Sequence, residues 1–529
     1  MPSTLISACL SRATSLTVTL LLTAAMSFAQ NVLTYHNNNA RTGVYNRETI
    51  LTTSNVNSAM FGKLFTLPAD GLVDAEPLYL SSVSIGGVVH NLVIVATEHG
   101  TVYAYDADTG TNLWHVTTLK TGEMTSDNRG CSQVTPEIGI TSTPVIQRPK
   151  AGKPVIFVVA MSKDGSGKYH QRLHALDATT GTEIRGGPVD IAATYPGTGD
   201  NSSGGNVIFD PGQYKERAGL LLIGNSLYLA WASHCDIRPY TGWIMGYNAT
   251  TLARTTVLNV TPNGNEGAFW NAGAGMAADG SGNIFALDGN GVFDTTLNAS
   301  GFPANGDYGN AFLRFKTKGG LAVADYFEMD NQASENGSDI DLGSGGTLLV
   351  SQKDAAGKMW QLAIGAGKDS HLYVVDRTNM GKFSSTSNNI HQDLAGALPG
   401  GVWSMPAFYG GFLYYGPVGS PILAFRLKNA MLLNSPAART SNAFGYPGAT
   451  PSISTNAGKN AILWATENTN PAVLHAYSAK TLLELYNSNQ AAGGRDHFGA
   501  GNKFITPMIA NGKVYVGTTN GVGVFGLLP

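Results

Sequence analysis

Short stretches of alternating apolar and polar positions recur along the chain, each cut off by a turn signal. The clearest is "GTVYAYDADTGTNLWHV" (100–116). Val102, Tyr103, Ala104 and Tyr105 follow a strand-like pattern, Asp-Thr-Gly makes a turn, and a second strand runs to Trp114. The pattern predicts a β-hairpin, and a lone hairpin is marginal in water because nothing covers its apolar face. Related hairpins follow at "LHALDATTGTEI" from Leu173, "IMGYNATTLART" from Ile244, "LYVVDRTNMGKF" from Leu372 and "LHAYSAKTLLEL" from Leu474. Degenerate copies begin at Ala311 and Ile422, and Asp106, Asp177 and Asn248 stand at equivalent turn positions.

Before several copies stands a strand marked by proline, as in "EPLYL" at Glu76, "STPVI" at Ser142, "SMPAF" at Ser404, "ATPSI" at Ala449 and "ITPMI" at Ile505. An inner strand such as "NLVIVAT" or "KVYVGTT" lies between. Each unit is then four short strands that cannot bury their own faces, which points to an all-β β-propeller. Counting the hairpins and a final unit gives eight blades, with seven as the alternative. The last unit, "FITPMIANGKVYVGTTNGVGVFGLLP", lacks a fourth strand, and the orphan strand "GKLFTLP" from Gly62 can supply it. An N-terminal strand would thus close the ring and remove its exposed edges. No linker divides the repeats, so residues 61–529 are expected to form one propeller domain behind a polar leader, residues 30–60.

Composition sharpens this picture. Only 13% of the 529 residues are charged, against roughly 25% in an average globular protein. The 65 glycines and 21 tyrosines suit a protein of strands and tight turns. A formal charge of -3 argues against a nucleic-acid partner, which would need a strongly basic face. Arg12, the apolar run from Leu16 to Met26, and Ser27-Phe28-Ala29 have the form of a cleavable signal peptide, residues 1–29. The run is too short for a membrane span, so a periplasmic or secreted protein is expected. Cys131 and Cys235 then remain, and in an oxidising compartment a disulfide between them is expected, two separate buried thiols being the alternative. No Cys-x-x-Cys-His occurs, so c-type haem is not expected.

The unit "VYAYDADTGTNLW" resembles the repeat of pyrroloquinoline-quinone (PQQ) enzymes, the quinoprotein alcohol dehydrogenase-like superfamily, and degenerate copies cover most of the chain. Four further segments resemble the alcohol dehydrogenases of that superfamily. "ASHCDIRPYTGWIMGYNATT" implies Asp236 as the acidic calcium ligand, and "ALDGNGVFD" implies Asn290 as the amide ligand. "SDIDLGSGGTLLV" implies Asp341 as catalytic base and further metal ligand, with Asp339 as second choice for the base. "GAGKDSHLYVVDRTN" places Lys368 against the quinone oxygens, and "FWNAGAGMAADGSGN" brings Trp270 close to the cofactor. The types suit the chemistry: calcium takes hard oxygen ligands, a carboxylate removes the alcohol proton, and a cation stabilises charge on the reduced quinone.

Two family features are missing. Cys131 is followed by Ser132, so there is no disulfide of neighbouring cysteines, and Met276 and Ala277 stand where the floor tryptophan is expected. Two functions follow from the resemblance. One is a PQQ- and calcium-dependent dehydrogenase acting on an alcohol or sugar with a separate electron acceptor. The other is a non-catalytic propeller that binds protein or polysaccharide through its loop face. A propeller glycosidase would need paired acids across the channel, for which Glu76, Glu98 and Glu137 are the candidates.

Overall fold

The structure is a computed structural model and describes residues 31–529; the expected signal peptide, with Cys9, lies outside the described residues. Eight antiparallel sheets succeed one another along the chain as the blades of a propeller, and a small three-stranded sheet covers residues 194–208. Blades 1 to 7 occupy residues 78–117, 145–190, 221–259, 277–327, 348–394, 407–439 and 452–487. Blade 8 combines Met508–Ala510, Lys513–Gly517 and Gly521–Leu527 with the strand Phe61–Pro68, which pairs antiparallel with Gly521–Leu527. The ring is therefore closed by the N-terminal strand, one residue longer at its start than the sequence pattern indicates.

The repeated turn is built as its residue types require. The carboxylate of Asp106 accepts from the backbone N–H of Asp108 (2.9 Å) and Thr109 (2.8 Å), and Asp177 and Asn248 accept from Thr179 and Thr250 in the same way. The turn glycine serves packing between blades. A Cβ on Gly181 would meet the Trp114 ring at 2.6 Å, and one on Gly110 would meet Phe65 at 3.0 Å. Phe65 on the closing strand thus plays toward blade 1 the part that Trp114 plays toward blade 2. Trp243 and Trp464 are fully buried, whereas Trp114 is half-buried at the blade boundary and donates its indole N–H to the Ala178 carbonyl at 3.1 Å.

The leader runs round the channel. An innermost strand has no partner on its channel side, so its backbone groups need acceptors and donors from elsewhere. Val32 pairs with Tyr79 of blade 1, and the carbonyl of Leu33 accepts from Ile146 of blade 2. Asn39 bonds Leu222 and Ala278 of blades 3 and 4, and Ala40, Thr42 and Gly43 accept from Leu349, Phe408 and Ile453 of blades 5, 6 and 7. Glu48 accepts from Gly512 of blade 8 at 3.0 Å. Every blade is touched. Arg41, fully buried, holds the turn of this leader by donating to Met276, Thr34 and Tyr35.

Blade 7 carries a titratable cluster. His475 is buried with Glu484 at 2.7 Å on Nδ1 and Glu467 at 3.0 Å on Nε2. Burial opposes its charge, but the two carboxylates outweigh it and raise its pKa above the ordinary value. A raised folded pKa contributes stability that is complete below about pH 6.5, the unfolded value, and is lost as pH rises through the folded value. Thermal melts across that window should show the protein losing stability, and His475→Gln should flatten this part of the profile. An unchanged slope in the variant would rule the cluster out as its source.

Candidate active site

The loop that precedes each innermost strand opens on one end of the channel. Trp270 precedes the inner strand of blade 4, Asp339 and Asp341 that of blade 5, and Trp403 that of blade 6. Turns between second and third strands reach the same end and carry Asp236 in blade 3, Asn290 in blade 4 and Lys368 in blade 5. A pocket at this place is lined by Gln133, Arg217, Asp236, Trp270, Ala272, Asp341, Ser344, Lys368 and Trp403. It is narrow, a cavity of about 40 Å³. Asp339 and Asn290 join the cluster through the bond from Asn290 Nδ2 to Asp339 Oδ1, at 2.8 Å.

Lys368 is the electrostatic centre. Its ammonium lies 2.5 Å from Asp341 Oδ1 and 2.7 Å from Asp339 Oδ1, with the Trp403 ring centre 6.0 Å away. The resemblance implies a cation set against the quinone oxygens. The structure puts it directly on the Asp339 and Asp341 carboxylates, because two carboxylates this close need a shared counter-charge. Burial raises Asp341 to about 6 even though Lys368 pulls the other way, and the two carboxylates raise Lys368 against its own burial. Asp236 has an exposed residue surface, but its carboxyl accepts from Tyr240 Oη at 2.6 Å and is raised by burial, with Asp339 adding to the rise. Asn290 Oδ1 is buried without a hydrogen-bond partner.

Several backbone positions here are strained. Cys235, Asp236 and Asp339 have φ of 50°, 55° and 54°, and Asn271 and Ala272 have 45° and 47°. Non-glycine residues hold this conformation only where their surroundings impose it, and such positions concentrate at functional sites.

Cys131 and Cys235 form a disulfide, with Cα atoms 5.5 Å apart. It ties the loop bearing Gln133 to the turn bearing Asp236, and Gln133 Oε1 accepts from Arg217 Nη1 at 2.8 Å. Arg217 is 2% exposed, lies 4.0 Å from the Phe504 ring centre, and leaves Nε and Nη2 without acceptors. The bridge spans 104 residues, which the chain-entropy account values at about 4–5 kcal/mol as an upper figure. Cys131→Ser should lower the melting temperature, and a protein beginning at residue 31 should show no free thiol when unfolded without reductant. Two titrating thiols would contradict the pairing.

The sequence pattern missed Arg217, Gln133 and Ser344, and gave Trp403 no role. The signal that finds Arg217 is positional, since it falls in the loop before the inner strand of blade 3, as Trp270 and Trp403 do in theirs. The three glutamates considered for glycoside hydrolysis are not brought together in the pocket. Glu76 accepts from His36 of the leader, Glu98 accepts from Gly139 and Thr141, and Glu137 bonds His99 and Thr125. His234 is buried and pushed down to about 3 by burial, and no metal-binding group of three or more His, Cys, Asp or Glu occurs among the described residues.

No family model matches the chain. No curated protein matches it either. Solved structures do. A quinohemoprotein alcohol dehydrogenase of Comamonas testosteroni superposes with a TM-score of 0.62 at 16% identity, over 94% of this chain and 80% of its own. A quinohemoprotein alcohol dehydrogenase of Pseudomonas putida HK5 gives 0.62 at 13% identity, over 94% and 80%. A europium-containing methanol dehydrogenase gives 0.60 at 14%, over 94% and 98%. The fold is that of the quinoprotein dehydrogenase propellers. Among the described residues no helix is long and apolar enough to cross a membrane.

Proposed function

We propose that the chain is an exported dehydrogenase that oxidises an alcohol or sugar with PQQ and calcium and delivers electrons to a separate acceptor. The observation that carries this reading is convergence: Asp236, Asp341 and Lys368, from two blades, line one pocket, and Asn290 of a third is linked to Lys368 through Asp339. The donors present fit both groups. Asn290 offers an unpartnered buried amide oxygen, and Asp236 and Asp341 add carboxylates, the hard oxygen set that calcium takes. Arg217 offers unpartnered N–H groups to the carboxylates of a polyanionic ring, and Trp270 and Trp403 offer indole surfaces. When bound, PQQ would supply the hydride acceptor and calcium would supply Lewis acidity beside it.

The chain's own work is proton removal and placement. Asp341 accepts the hydroxyl proton of the substrate, for which Asp339 is the alternative base. Lys368, positioned by both carboxylates, supplies positive charge where negative charge grows. Export rests on the pattern of residues 1–29.

The second reading, a binding propeller without catalysis, draws on Met276 and Ala277 at the place of a floor indole; Met276 is buried and its carbonyl serves Arg41 instead. Titration of the purified protein with PQQ and calcium separates the two. Saturable bound-quinone absorbance with alcohol-dependent dye reduction is expected. Absence of both, at quinone in excess, gives the place to the binding propeller.

A further inference from the structure

A second pocket, of about 590 Å³, lies between blades 4 and 5. It is built from the turns joining first to second and third to fourth strands, so it opens on the propeller face opposite the candidate active site. Arg314, Arg377, Asp279, Ser281, Ser351 and Thr378 supply its polar lining. The two arginines are neighbours, since Arg314 Nη1 donates to the backbone carbonyl of Arg377. Arg377 is 9% exposed and is locked by donating Nη2 to Gln361 Oε1 (2.5 Å) and Ser351 Oγ (3.1 Å). Its Nη1 reaches only Asp279, at 3.9 Å, too far for a hydrogen bond. Nε of Arg314 and Nε of Arg377 are both buried without an acceptor.

Asp279 acts on Arg377 only through space, from 3.9 Å. Its oxygens accept from the backbone of Ser281 and Asn283 and from Asn283 Nδ2, closing its own turn. Arg314 lies opposite Asp325 in the sheet, yet Asp325 accepts from the backbone of Tyr326 and Met380 and makes no ion pair among the described residues. Arg314 and Arg377 line one partly open pocket, Asp279 and Asp376 act on Arg377 without hydrogen-bonding to it, and each arginine keeps a buried Nε without an acceptor. Buried charge of that kind is costly unless an anion pairs with it. Guanidinium forks match the geometry of tetrahedral and planar oxyanions, and the seryl and threonyl hydroxyls of Ser281, Ser351 and Thr378 can serve remaining oxygens.

We propose that this pocket binds a small ligand through an oxyanion group, held by Arg314 and Arg377. The volume exceeds a bare phosphate and suits an organic phosphate or carboxylate, within the roughly 300–1,000 Å³ of small-molecule sites. The inference is independent of any cofactor in the active-site pocket.

Calorimetric titration with inorganic phosphate and with acetate, at constant ionic strength in chloride, tests it on the whole protein. Saturable binding of at least one is expected; a preference for phosphate marks a phosphate ligand, and the reverse marks a carboxylate. Arg377→Gln should weaken binding at least tenfold. Because a buried arginine can matter for folding, Ser281→Glu is the second variant: it alters only an exposed lining residue, places a negative charge in the pocket, and should also weaken binding tenfold. Absence of saturable binding overturns the proposal, and so does binding that survives Ser281→Glu unchanged.

Discussion

Asp341→Asn should reduce turnover of the PQQ- and calcium-loaded protein by about 10²–10⁴-fold, the usual contribution of a positioned general base. Asp341 is the appropriate target because it is 4% exposed and lines the pocket, whereas the side chain of Asp339 is 67% exposed. Asp339→Asn should therefore cost much less, since it leaves Lys368 with Asp341 at 2.5 Å. Steady-state kinetics with a dye acceptor measure both, and quinone titration of each variant shows whether the loss lies in chemistry or in cofactor binding. If Asp339→Asn is the more damaging of the two with cofactor still bound, the base is Asp339. If neither substitution changes turnover, the dehydrogenase reading of the site is wrong.

Removing residues through Pro68 should abolish cooperative folding, while a chain beginning at Asn31 should melt as a compact protein. The truncation takes away the strand Phe61–Pro68 and strips the outer edge of Gly521–Leu527. Phe61 and Leu67 are at most 1% exposed, and Phe61 packs against Trp464, Tyr486 and Phe525 with ring centres 5.4, 5.0 and 6.3 Å away. Each such side chain contributes about 1.5–3 kcal/mol by burial. The leader goes too, and with it the hydrogen bonds to the inner strands of blades 1 to 7 and to the first turn of blade 8. Against a typical total of about 5–15 kcal/mol, that loss exceeds what the ring can absorb. A truncated protein with an unshifted thermal transition would refute closure by this strand.

Much of this was legible in the chain. The period-two hairpins, the Asp-x-x-Thr-Gly turns and the proline-marked strands are local signals, so strand order and the closing strand at Phe61–Pro68 could be read from them. The leader was not legible. "TYHNNNARTGVYN" is polar, and polar side chains ordinarily mean solvent. Here Arg41 and His36 are fully buried because the carbonyls of Met276 and Pro451, just ahead of two inner strands, and groups of the leader itself give their polar atoms partners.

At the site, Asp236, Asn290, Asp341 and Lys368 were found by local resemblance, and Arg217 was not, because "YKERAG" carries no motif. Its place depends on the loop before an inner strand reaching the channel mouth, and on Gln133 holding it from a loop tied by the Cys131–Cys235 bridge. Sequence determined which residues turn, which strands form and which blades they make, since those depend on neighbours a few positions apart. Only the tertiary structure decided which polar side chains share one dielectric cavity. Lys368 landing on Asp339 and Asp341, and Arg314 beside Arg377, are contacts between blade elements whose distance is set by the packing of whole sheets.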